Sequence, residues 1–107
     1  RRVGYLMSQE ADIPTRIAVD NEGHPSFTIV DIETPDRMGL LYDLFGAIAR
    51  LGLSLELARI TTEKEVAMDT FYLCRADDGG KLAADDEIRA LQQVLHKAAV
   101  GPGPDKP

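Results

Sequence analysis

The chain has 107 residues, room for one domain of ordinary size. It is 44% hydrophobic and 28% charged, a globular composition rather than a fibrous or disordered one. A net charge of −6 argues against a nucleic-acid partner, no apolar run is long enough to span a membrane, and a single cysteine excludes an internal disulfide or a Cys-based zinc site. The lone cysteine makes a reducing, cytoplasmic compartment the default. The chain opens on Arg1-Arg2-Val3 rather than Met, which reads as a piece of a longer protein.

Residues 1–14 read as a linker or extension, with an apolar patch at Val3, Tyr5, Leu6 and Met7 before polar residues and Pro14. Thr15 to Val19 has a short period-2 pattern and predicts a strand. Asp20 to Ser26 is dense in turn formers, and Phe27 to Thr34 is a β-branched and aromatic run. The two runs predict an antiparallel hairpin. Thr34 to Gly39 breaks the strand. From Leu40 the period changes to 3.6: Leu41, Leu44, Phe45 and Ile48 form an apolar stripe, and Gly52 is placed to stop the helix. Gly46 inside it implies close approach by another element.

Leu53 to Thr62 predicts a strand whose apolar parity switches between Leu57 and Ala58, the mark of a bulge or of burial on both faces. Glu63-Lys64-Glu65 is a charged turn. Val66 to Cys74 predicts a further strand, with Phe71 and Leu73 on one face and Met68, Thr70 and Tyr72 on the other. Asp77 to Gly80 is a turn, without the alternation or distal Glu of a calcium loop. Asp85-Asp86-Glu87 and His96-Lys97 place acid at the start and base at the end of a helix that stops before Gly101. Residues 101–107 predict a disordered tail.

The order ββαββα predicts an α+β, ferredoxin-like sandwich: a four-stranded antiparallel sheet with both helices on one face. The strand at Thr15 to Val19 takes the slot of the missing last strand, because a hairpin partner is adjacent and antiparallel by construction.

Asp36 to Leu41 is the most informative stretch. It joins a strand to a helix start, where first-turn N–H groups point outward unpaired. Asp36 is a candidate N-cap, and Gly39 lets a carboxylate approach the main chain. Leu53-Ser54-Leu55 is expected near this loop, completing a pocket edge for a small zwitterion. The plainer reading is a capped helix start that binds nothing.

Asp36-Arg-Met-Gly-Leu-Leu-Tyr-Asp-Leu44, then Leu51-Gly-Leu-Ser-Leu55, Ala58-Arg-Ile-Thr-Thr62 and Ala67-Met-Asp-Thr-Phe-Tyr72, resemble the ACT domain. Val19-Asp20-Asn21 and the Asp-x-Phe-Tyr of the last strand are similar to the C-terminal ACT region of bacterial protein-PII uridylyltransferases. The resemblance spans about residues 15–100 and implies an amino-acid-binding regulatory module with no cofactor, glutamine being the expected effector. It also implies pairing with a second ACT unit and linkage to a catalytic domain. The family's ligand contacts map onto Asp36, Arg37, Gly39 and Leu40, with Leu53, Ser54 and Leu55 supplied across the pair. Met38 stands where the family carries Pro, so the loop loses a fixed φ and gains an apolar side chain. Catalytic nucleotidyltransferase motifs are absent from this segment.

The remaining candidates are weaker. His24 reads as a solvated turn residue, His96 as a favourable charge at a helix end, and Cys74 as a packed core residue. Neither histidine has a companion at metal-ligand spacing. Asp31 and Glu33 either face solvent on the open side of the sheet or line an interface. An interaction module that binds nothing small is the alternative function. A small enzyme of acylphosphatase type is disfavoured, because Asn21 is the only asparagine and lies in the hairpin turn.

Overall fold

The computed structural model describes residues 13–101. The expectations for residues 1–12 and for residues 102–107 of the tail lie outside the described residues. Strand β1 (Arg16–Asp20) pairs with β2 (Thr28–Pro35), helix α1 (Leu40–Arg50) follows, then β3 (Leu53–Arg59), the two-residue β4 (Thr62–Glu63), β5 (Val66–Arg75) and helix α2 (Asp85–Val100). The sheet order is β1-β2-β5-β3, with β4 also on β5 and every pair antiparallel. Thus β1 does fill the outer slot beside β2. The one departure from the expected sheet is its strand number, five rather than four.

That departure has a local cause. The expected strand Leu53 to Thr62 breaks after Arg59, and Thr62–Glu63 then pairs separately with Val66 and Ala67. The strand does bulge, but between Leu55 and Leu57 rather than at the expected parity switch between Leu57 and Ala58, leaving Glu56 as the extra residue. It turns Leu57 outward, opposite Tyr72, and returns Ala58 to the helix side, opposite Phe71. The β4–β5 connection is the two-residue loop Lys64-Glu65, with φ of 50° and 67°. A tight hairpin needs such positive φ values, yet neither residue is the Gly or Asn that adopts them freely.

Alternation on β2 and β5 builds the core. Val30 and Ile32, with Phe71 and Leu73, face the helices and are buried. Leu44 and Ile48 of α1 and Leu91 and Leu95 of α2 close over them. Asp31 and Glu33 are exposed on the open face of the sheet. Cys74 is buried, as expected, but on the row of Met68, Thr70 and Tyr72 rather than in the main core cluster, and its Sγ donates to Glu56 Oε2 at 3.6 Å. Burial and that carboxylate push its thiol pKa up, away from reactivity.

Phe45 stands at the edge of the stripe, 39% exposed, with its ring against Phe71 at a centroid distance of 5.7 Å. Gly46 is a correction: a Cβ there would meet only the end of the Arg50 side chain, at 3.2 Å. No other element needs the space. Gly46→Ala should therefore raise stability by up to about 1 kcal/mol, read as a higher denaturant midpoint at unchanged slope. Lys64→Asn with Glu65→Gly should add a further ~1 kcal/mol by relieving the positive-φ residues. A loss of stability in either variant would contradict these assignments.

Candidate functional site

The turn between β2 and α1 is built in two steps. Asp36 N–H continues the β2–β5 ladder by donating to Glu65 O at 2.8 Å. The chain then turns, and Gly39, with φ of 82°, stands at the N-cap position. No side chain caps the helix, so Asp36 is not the cap. The strand pairing holds Asp36 too far upstream, and the left-handed glycine starts the helix instead. Leu40 N–H reaches back to Arg37 O and Asp43 N–H to Gly39 O. The amides of Leu41 and Tyr42 have no acceptor among the described residues, the anion-attracting feature of an open helix start. Leu40 itself is buried, while Met38 and Tyr42 are 96% and 83% exposed beside these amides.

Arg37 points the other way. Its Nε donates to Ala99 O at 3.2 Å, Nη2 to Ala98 O at 2.6 Å and to Asp43 Oδ2 at 2.8 Å, and Nη1 to Met38 O at 3.1 Å. The guanidinium fork expected to hold a ligand thus holds the last carbonyls of α2. Beside it, Ile13, Thr15, Thr34, Arg37 and Ala99 border a cleft of about 250 Å³. Thr15 and Thr34 share a hydroxyl hydrogen bond of 2.7 Å there.

Leu53, Ser54 and Leu55 are not near this turn within one chain. Pro35 at the end of β2 pairs with Val66, whereas Leu53 pairs with Arg75. Those are the two ends of the ten-residue β5, about 30 Å apart. The reason is the crossover: α1 carries the chain back, so β3 starts at the pole where β2 started. Leu53 and Leu55 face the helices, and Ser54 Oγ donates to Glu56 on the open face. Leu53 instead borders a second cleft of about 250 Å³ with Gly52, Arg75 and Glu87. There Glu87 accepts N–H bonds from Ala83 and Ala84 and an Arg75 bond of 2.7 Å, which hold its pKa low and occupy the start of α2.

Sequence reasoning overlooked two inward polar residues. Asn21 donates to Leu82 O at 2.6 Å and accepts from Thr28 Oγ1 at 2.6 Å, and Leu82 N–H donates to Thr28 Oγ1. This closed network ties the hairpin to the loop before α2, giving the asparagine a structural role. His24, likewise, accepts N–H bonds from Ser26 and Phe27 on Nδ1 and stacks on the Phe27 ring. Its turn is more ordered than a solvated histidine implies.

Asp69 is the other. It is only 2% exposed, and its Oδ1 accepts Thr61 N–H at 3.2 Å. That bond spans the break between β3 and β4, where Thr61 belongs to neither strand. Its Oδ2 has no hydrogen-bond partner among the described residues. Burial pushes its pKa up first of all, opposed by the Thr61 bond and assisted by the Asp36 charge. A raised carboxyl pKa means the folded state binds the extra proton. Stability should therefore fall as pH rises from the ordinary value of 3.8 through the raised one. Asp69→Asn should remove this dependence, so the wild-type-minus-variant stability should slope downward across that window. A flat difference in chemical denaturation would show an ordinary carboxylate.

Among the described residues there is no cluster with metal-ligand geometry, and no helix is long and apolar enough to cross a membrane. A family profile described as "ACR9-like, ACT-like domain" matches residues 16–102. The bifunctional uridylyltransferase/uridylyl-removing enzyme of Ruegeria pomeroyi is 39% identical over 87 residues, 81% of this chain and 10% of that protein. That of Cereibacter sphaeroides is 38% identical over 97 residues, 89% of this chain and 10% of that protein. The ACT domain-containing protein ACR1 of Arabidopsis thaliana is 29% identical over 89 residues, 82% of this chain and 18% of that protein. The chain spans about a tenth of the length of the bacterial relatives. Taken with the sheet order and the Gly39 turn, these matches place the chain in the ACT domain family.

Proposed function

We propose that this domain is a regulatory module that takes an amino-acid effector at the start of α1 and controls a linked enzyme. Glutamine is the first effector to try, and a uridylyltransferase is the linked enzyme that the bacterial relatives suggest. The observation carrying this reading is the uncapped start of α1, with the amides of Leu41 and Tyr42 open beyond Gly39. A carboxylate on those amides would satisfy both and complement the helix dipole. Met38 and Tyr42, exposed on the same end of α1, supply apolar surface to cover such a ligand from outside or to meet a second ACT unit. Pairing is also what could bring the Leu53 to Leu55 segment of one unit to the turn of another.

A second reading is favoured by one observation. All three nitrogens of the Arg37 guanidinium are engaged within the protein, so the turn lacks a free cation for a carboxylate. A pairing module that binds nothing small needs no such cation.

Calorimetric titration of the 107-residue chain with the common amino acids separates the two. The regulatory reading expects saturable heat from glutamine or another amino acid, abolished in Gly39→Val, together with a ligand-dependent shift in sedimentation. Heat from no amino acid, with self-association unchanged in Gly39→Val, would select the pairing module.

A further inference from the structure

The arginine in the turn is bonded across the molecule rather than toward solvent. Its partners Ala98 and Ala99 lie 61 and 62 residues away in sequence. They are the C-terminal carbonyls of α2, left without helical partners and carrying the negative end of the dipole. The same Nη2 that donates to Ala98 O donates to Asp43 Oδ2 in the first turn of α1, and Nη1 donates to Met38 O. One planar group therefore bridges the start of α1 and the end of α2. Lysine, a point charge on a flexible stem, cannot make this set of bonds.

Gly101 completes the arrangement. It caps α2 with φ of 76°, and a Cβ built there would lie 2.8 Å from both the Arg37 guanidinium carbon and Nη2. The guanidinium packs against the one residue type that leaves room for it. Its side chain is mostly buried in that position, and bonds from a charged donor to these acceptors belong to the strong class.

We propose that Arg37 is a positioning residue that locks the α1 turn to the C-terminal end of α2, so that a change at the turn is read out at Ala98 to Gly101. Arg37 then does not hold the effector. It transmits the state of the turn to the far end of the last helix. Reciprocally, a partner that pulls on the end of α2 alters the turn, as linkage requires.

The test uses amide resonances and hydrogen exchange of the 107-residue chain. In Arg37→Lys, the amides of Ala99 and Val100, whose peptide units carry the bonded carbonyls, should shift and exchange about tenfold faster. In Gly101→Ala, the amide resonances of Met38, Gly39 and Leu40 should shift and the hydrogen-bonded amides of Leu40 and Asp43 should exchange faster, while Arg50→Lys, exposed at the end of α1, should move neither group. Changes confined to the neighbours of each substitution would overturn the proposal. A further arm rests on the function proposed above. Glutamine, or whichever common amino acid gives heat with the wild type, should move both Gly39 and Val100, but only Gly39 in Arg37→Lys; equal movement of Val100 in the variant would overturn the transmission role. If no amino acid moves Gly39 in the wild type, the effector reading falls, while the two variants still decide the lock.

Discussion

The rest of the structure depends on the pairing of β2 with β5. Eight consecutive residues of each are in register, from Thr28 opposite Leu73 to Pro35 opposite Val66. Both strands are central, so each must present an apolar row to the helices and a tolerable row to the open side. Val30, Ile32, Phe71 and Leu73 supply the first row, and Asp31, Glu33, Met68 and Thr70 the second. A slip of β2 by one residue would bury Asp31 and Glu33 and expose Val30 and Ile32, which is why this register is so strongly specified.

Polar residues stand on the buried row near its ends, and each organises a loop. Thr28 works with Asn21 to hold the segment around Leu82 at one pole, and Thr34 with Thr15 holds the start of β1 at the other. Asp69 bridges the gap between β3 and β4 by accepting from Thr61. Buried polar groups cost stability unless bonded, so these contacts confine the loops as well as satisfying the side chains. Asp69 is the incomplete case. Its free oxygen and its raised pKa mark the point where the core is least settled.

The α1 turn inherits its two-sided character from this frame. Toward solvent it presents open amides and exposed Met38 and Tyr42. Toward the interior it is held by Glu65 O, Asp43 and the end of α2. A turn open on one face and bonded on the other to a distant helix end fits the regulatory role proposed above. The Arg37 bonds to Ala99 O and Met38 O restrain the loop from behind.

By itself the sequence determined the element order apart from β4, the hairpin, the inward and outward rows of the two central strands, and the glycine turn before α1. All of these rest on periods and turn chemistry that are local to a few residues. Only the tertiary structure decided that Leu53 to Leu55 stand at the opposite pole from Asp36, that Arg37 spends its donors on Ala98 and Ala99, and that Asp69 is buried rather than displayed. The physical reason is the same in each case. Which groups meet depends on how a crossover and an antiparallel register bring distant segments together, and neither a charge nor a leucine carries that address in its own neighbourhood.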